Sequence, residues 1–147
     1  MKKMNNKGFS LVELIVVIAI MAVLVGVLAP QFIKYVEKSR ESTDLTNLDS
    51  IKQVVESYYA DKEGTDLPST VTIAPDTNSI FVLTFNAGYT AISSDTVLEQ
   101  GGVKGCKLKG GQWTAVPEVT WNLADNTWKY KGASKYYKTV SDQIVPE

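Results

Sequence analysis

Chemistry in a protein requires particular side chains at particular spacings, and this chain of 147 residues lacks most of them. It has no histidine and a single cysteine, Cys106. That excludes Ser-His-Asp and Cys-His pairs, His-ligated metal sites, internal disulfides and multi-cysteine zinc or iron–sulfur sites. Carboxylates, lysines and hydroxyls remain, but no paired carboxylates or Ser-Lys pattern marks a catalytic centre. The expectation is a protein with no catalytic residues, no cofactor and no metal, and a membrane-anchored enzyme is the reading least supported. Lys+Arg 15 against Asp+Glu 16, net −1, is too even for a general nucleic-acid binder, which carries a basic stripe.

Three weaker groupings invite chemistry and have plainer readings. The run Gly101–Gly111, GGVKGCKLKGG, mixes glycines with three lysines. A P-loop needs Lys directly after its second glycine, and here Gly111 follows Gly110, so a plain mobile loop is expected, with Cys106 a lone thiol in it. Trp113, Trp121 and Trp128 suggest a sugar-stacking platform, yet Trp121 and Trp128 alternate with polar residues and read as core. Asp76 with Asn78, and Asp125 with Asn126, fall far short of a calcium ligand set and read as turns.

One carboxylate is harder to place. From Leu14 to Ile33 runs LIVVIAIMAVLVGVLAPQFI, twenty residues without a formal charge, and as a helix it reaches roughly 30 Å, the thickness of a bilayer core. Glu13 stands at its head, where a lone carboxylate at membrane depth costs about 2.5–3.5 kcal/mol and calls for a positive partner. Lys2, Lys3 and Lys7 precede it with no acid among the first eight residues, which puts the amino terminus in the cytoplasm. A cleaved secretory signal fits poorly. Its apolar region is about 7 to 15 residues, and the one passable site, Val27-Leu28-Ala29, is followed by Pro30.

The segment Lys7-Gly8-Phe9-Ser10-Leu11-Val12-Glu13-Leu14 resembles the class III signal of type IV pilins and the related pseudopilins, and Pro30 falls where that family usually carries a proline. The match covers about the first third of the chain and says little beyond Tyr59. The resemblance implies cleavage by a prepilin peptidase between Gly8 and Phe9 and methylation of the new amine on Phe9. It assigns subunit assembly to Phe9 and Glu13, the amine of one subunit meeting the carboxylate of its neighbour. Opposite charges attract strongly in apolar surroundings, and within one helix the two residues also stand i, i+4. Gly26 and Pro30 are implied as the place where the helix kinks or melts on assembly; as an ordinary pair they would be tolerated membrane-helix residues. Implied partners are other pilin subunits, the peptidase, an inner-membrane platform and assembly ATPase, membrane lipid before assembly, and nucleic acid only for a DNA-uptake pilus.

Past Ile33, Leu45, Leu48, Ile51, Val55, Tyr58 and Tyr59 recur at spacings of three or four, the mark of an amphipathic helix that Gly64 and Pro68 end. Glu37 with Arg40, and Arg40 with Asp44, suit an exposed face. One helix from about Phe9 to Asp61 is predicted. Beyond it, Ser79–Phe85 reads as a strand, and Val119-Trp121-Leu123 and Trp128-Tyr130 read as a hairpin about Asp125-Asn126. The fold class is α+β: a long helix on a head of three or four antiparallel strands. Its expected divisions are a leader 1–8, a membrane and filament-core helix 9–33, an amphipathic continuation 34–63 and a β-rich head 64–147. Lacking the cysteine pair of many Gram-negative pilins, the chain is nearer the disulfide-free Gram-positive type, and Tyr136, Tyr137, Val140, Ile144 and Val145 are left to fasten its end by packing. The resemblance implies a structural subunit of a type IV pilus serving adhesion, motility or DNA uptake, in the membrane first and in an extracellular filament afterwards. The alternative is a pseudopilin of a type II secretion system, although the DPWG-like segment usual in major pseudopilins is absent.

Overall fold

The computed structural model describes residues 8–60, 62, 67–90 and 92–147. The leader lysines Lys2, Lys3 and Lys7 and the helix-end residues Asp61 and Gly64 lie outside the described residues. There are two compact units, one ending at Val36 and the other Glu37–Glu147, and the helix α1 (Leu11–Ala60) contributes to both. The predicted helix is therefore present, with Phe9 and Ser10 ahead of its first turn.

In the first unit every residue from Gly8 to Tyr35 is exposed, including Leu14, Ile18, Leu24, Leu28 and Ile33. A helix satisfies its own backbone hydrogen bonds, so such a segment needs only an apolar surrounding to be stable. It is long and apolar enough to cross a membrane.

In the second unit α1 buries a single stripe, Glu41, Asp44, Leu48, Ile51, Val55 and Tyr59, at the spacings of three or four that keep side chains on one face. Leu48, Ile51 and Val55 are completely buried, each contributing about 1.5–3 kcal/mol by leaving water. They meet an antiparallel sheet of order β2-β1-β3-β4, formed by β1 (Thr70–Pro75), β2 (Phe81–Phe85), β3 (Trp113–Asn122) and β4 (Thr127–Ser134). Its inward rows, Phe85-Val71-Trp121-Trp128 and Leu83-Ile73-Val119-Tyr130, alternate with the polar row Thr84-Thr72-Thr120-Lys129, the period-two pattern of a half-buried sheet. Pro117, which has no N–H to give a ladder, sits where the β3–β4 register shifts between Ala115 and Glu118.

The predicted β3–β4 hairpin is present, and the run Ser79–Phe85 supplies β2. Three elements escaped the sequence reading: β1; the short helix α2 (Ser94–Gln100), N-capped by Ser93, whose hydroxyl accepts from the Thr96 amide; and a hairpin of β5 (Tyr137–Val140) and β6 (Gln143–Pro146). That hairpin turns on Ser141 and Asp142, both with positive φ (49° and 62°), a conformation that usually selects glycine or asparagine. The Asp142 carbonyl accepts from the Tyr130 N–H at 3.0 Å, tying the turn to β4. Asp142→Gly keeps that bond and removes the left-handed penalty, so it is expected to stabilise the head by about 1 kcal/mol, measurable as a raised thermal unfolding midpoint.

Candidate functional site: the amino-terminal segment and a carboxylate clasp

Gly8, Phe9 and Ser10 precede the helix, and Phe9 is 88% exposed. Ser10 takes the capping position: its carbonyl accepts from the Leu14 N–H at 3.2 Å, and its own N–H donates to Glu13 Oε2 at 3.0 Å. A carboxylate three residues into a helix that reaches back to the cap N–H is half of a capping box, and it also lies at the positive end of the helix dipole. Glu13 thus has a polar partner within its own chain. The helix runs without interruption through Gly26 and Pro30, and a Cβ on Gly26 would meet nothing within 4 Å.

The second unit holds a cluster of polar contacts that includes Glu37 and Asp44, which the sequence reading placed on an exposed face. Asp44 and Glu41 are completely buried. Asp44 does not pair with Arg40; its oxygens accept from the Lys109 N–H (2.6 Å), the Gly110 N–H (2.8 Å) and the Trp113 indole N–H (3.0 Å). Arg40 pairs instead with Glu37 at 3.6 Å, and Glu37 also accepts from the Gly111 N–H. Glu41 Oε2 accepts from the Ser134 hydroxyl at 2.6 Å, and the same Ser134 oxygen accepts from the Tyr136 and Tyr137 N–H groups. Three carboxylates on successive turns of α1 therefore hold the 109–111 backbone and the β4–β5 turn. Burial and the flanking charges of Glu37 and Asp44 push the Glu41 carboxyl above its ordinary range, outweighing the Ser134 hydroxyl and the Gln112 backbone, which favour its charged form.

These contacts correct the expectation of a plain mobile loop: the end of the Gly101–Gly111 run is fastened to the helix. They also add polar contacts to the apolar packing expected to fasten the carboxyl end. Tyr137 is buried and stacked on Trp113 with ring centres 5.9 Å apart, but Val140 is 46% exposed, and the turn is held by Ser134. A glycine is required at 110, where a Cβ would stand 2.5 Å from Glu41 Cγ, 2.8 Å from Trp113 Nε1 and 2.9 Å from Asp44 Oδ2. Gly110→Ala is expected to cost about 2 kcal/mol by chemical denaturation, and Gly111→Ala distinctly less, since its nearest contact would be Glu37 Oε1 at 3.3 Å. Equal costs at the two positions would contradict this.

The remaining groupings resolve as packing and turns. Trp121 is buried and stacked on Trp128 at 5.1 Å, with Lys52 over the Trp128 ring. Asp76 Oδ1 accepts from the Asn78 and Ile80 amides at 2.8 and 2.9 Å, an Asx turn that holds its carboxyl below the usual range. Asn126, at φ 49°, accepts from the Trp121 indole. Cys106 is half-buried against the core.

The segment on which the resemblance rests matches a known class: residues 3–29 fit the family described as the prokaryotic N-terminal methylation motif. The chain carries the class III prepilin motif and is similar to type IV pilins. It is 33% identical to the type IV major pilin protein PilA of Myxococcus xanthus over 73 residues, 49% of this chain and 33% of that one. The type IV major fimbrial protein FimA of Dichelobacter nodosus is 25% identical over 90% of this chain and 99% of its own. The prepilin peptidase-dependent protein A of Clostridium perfringens is 36% identical over 95 residues, 64% of this chain and 63% of that one. The chain thus spans about a third of the PilA length it matches.

Proposed function

We propose that this chain is the structural subunit of a type IV pilus. It is made as a prepilin with leader 1–8, cut between Gly8 and Phe9 and methylated on Phe9 by a prepilin peptidase. The segment 9–33 holds it in the cell membrane with the amino terminus cytoplasmic, until a membrane platform and an assembly ATPase add it to an extracellular filament of its own copies. The observation that carries this reading is a helix with every residue exposed from Leu11 to Tyr35, directly behind the class III motif. Such a surface is stable in lipid, and it is equally stable against sister helices, so one segment serves both anchoring and polymerisation. The amphipathic stretch 34–63 continues into the head 64–147, and Gly26 and Pro30 are the points where the helix opens in the filament. The chain performs no catalysis; its chemistry is done on it by the peptidase. Mass spectrometry of the mature protein is expected to find N-methylphenylalanine at Phe9, and an intact Met1 or a start at Pro30 would overturn the proposal. Electron microscopy of sheared cells is expected to show long filaments; short wall-spanning rods would indicate a pseudopilin of a type II secretion system.

A further inference from the structure

Glu41 is completely buried, yet only Oε2 makes a well-formed hydrogen bond, to the Ser134 hydroxyl; Oε1 makes none, and the Gln112 backbone favours the charged form only weakly. Asp44, one turn on, has both oxygens occupied by three N–H groups. Both side chains flank Gly110, with Glu41 Cγ and Asp44 Oδ2 2.5 and 2.9 Å from the point where its Cβ would stand, so the two carboxyls share one enclosure. The charged groups around Glu41 are Glu37 and Asp44 on α1, the exposed Lys38 three residues before it, Arg40, which is engaged with Glu37, and the exposed Lys109 of the loop and Lys135 beside Ser134. Among the described residues no cation pairs with Glu41. The Ser134 hydroxyl and the Gln112 backbone offset only part of the cost of burying a carboxylate that no cation pairs.

We propose that Glu41 is a proton-operated latch on the carboxyl-terminal hairpin: carrying a proton, it closes the Ser134 turn onto α1, and losing it sets a third like charge between Glu37 and Asp44 and loosens that turn. Ser134 transmits the change, because its oxygen holds the Tyr136 and Tyr137 N–H groups at 3.0 and 3.1 Å, where β5 begins. The sign follows from linkage. Glu41 titrates higher when folded than when unfolded, so its contribution to stability is complete below the ordinary glutamate range and is lost as pH rises through the folded value. Asp76, held low by its Asx turn, acts in the opposite direction, losing its contribution as pH falls.

The test is made on the full chain in detergent micelles. The Glu41 side-chain carbon is followed by NMR from about pH 4 to pH 8, and amide exchange at Tyr136 and Tyr137 is measured alongside, corrected for intrinsic base catalysis. Glu41 is expected to titrate above the exposed glutamates, with corrected exchange rising about tenfold across that step. Glu41→Gln, a neutral isostere, is expected to flatten the exchange profile. Ser134→Ala, which removes the hydroxyl that favours the charged form, is expected to move the Glu41 titration further up while uncoupling exchange from it. A Glu41 that titrates with the exposed glutamates, or an exchange profile in Glu41→Gln that still tracks the wild type, overturns the proposal; should Glu41→Gln fail to fold, the wild-type titration and Ser134→Ala decide it.

Discussion

Glu13→Val is expected to yield a chain that is cut after Gly8 and inserted into the membrane as efficiently as the wild type but does not form filaments. Glu13 is exposed and, among the described residues, engaged with the Ser10 N–H at 3.0 Å, a cap whose loss costs the helix little more than fraying at one end. Anchoring depends on the apolar run behind it, which valine extends. Assembly differs under the proposed function, in which joining helices encloses the Phe9 amine, so that without Glu13 this cation has no counter-charge. An uncompensated buried charge costs about 3 kcal/mol or more, which is over a hundredfold at each subunit contact. Filament yield from sheared cells, normalised to membrane-bound mature subunit, measures the effect. Glu13→Gln separates the two roles, since an amide oxygen can still accept from Ser10 but carries no charge, and it is expected to assemble almost as poorly as valine. Wild-type yields from either variant would show that the ion pair does not drive assembly.

Asp44→Ala is expected to be the most damaging single substitution in the head. It strands the Lys109 and Gly110 amides and the Trp113 indole N–H inside the protein, and buried donors left without acceptors cost about 1–3 kcal/mol each where water cannot reach them. Partial relaxation of the loop brings the expected total to about 4 kcal/mol, a fall in the thermal midpoint of roughly 15 °C or more for a unit of this size. Asp44→Asn retains one acceptor oxygen but turns its amide group toward a backbone donor, and about half the loss is expected. The midpoint is read by circular dichroism on the full chain in detergent. A midpoint for Asp44→Ala within a few degrees of the wild type would mean that the loop is held by other contacts.

The two predictions concern residues of very different legibility. Glu13 could be picked out from sequence because it is the one charge heading a twenty-residue apolar run, and an anomaly against a uniform background is visible without coordinates. Asp44 and Glu41 stand among serines, threonines and an arginine, where a carboxylate reads as solvated; the spacing even offers Arg40 as a surface partner for Asp44. Their true partners come from 65 to 93 residues away in the chain. The helical stripe was legible from Leu48 onward, where its members are apolar, and was lost at Glu41 and Asp44, where the same geometry is occupied by acids. The β3–β4 hairpin announced itself through alternation and an Asp-Asn turn, whereas β5–β6 turns on Ser141-Asp142, which carries no glycine signal.

Sequence by itself determined the amino-terminal segment of this protein: a methylation motif, a helix and a surface that requires an apolar surrounding. Those properties are local, since a helix closes its hydrogen bonds within four residues and the apolarity of a segment is the sum of its own side chains. Only the tertiary structure decided how the head is fastened. A carboxylate is buried or solvated according to whether backbone donors from distant strands and loops converge on it, and no property of residues 37 to 44 encodes the arrival of residues 109 to 111 and 134.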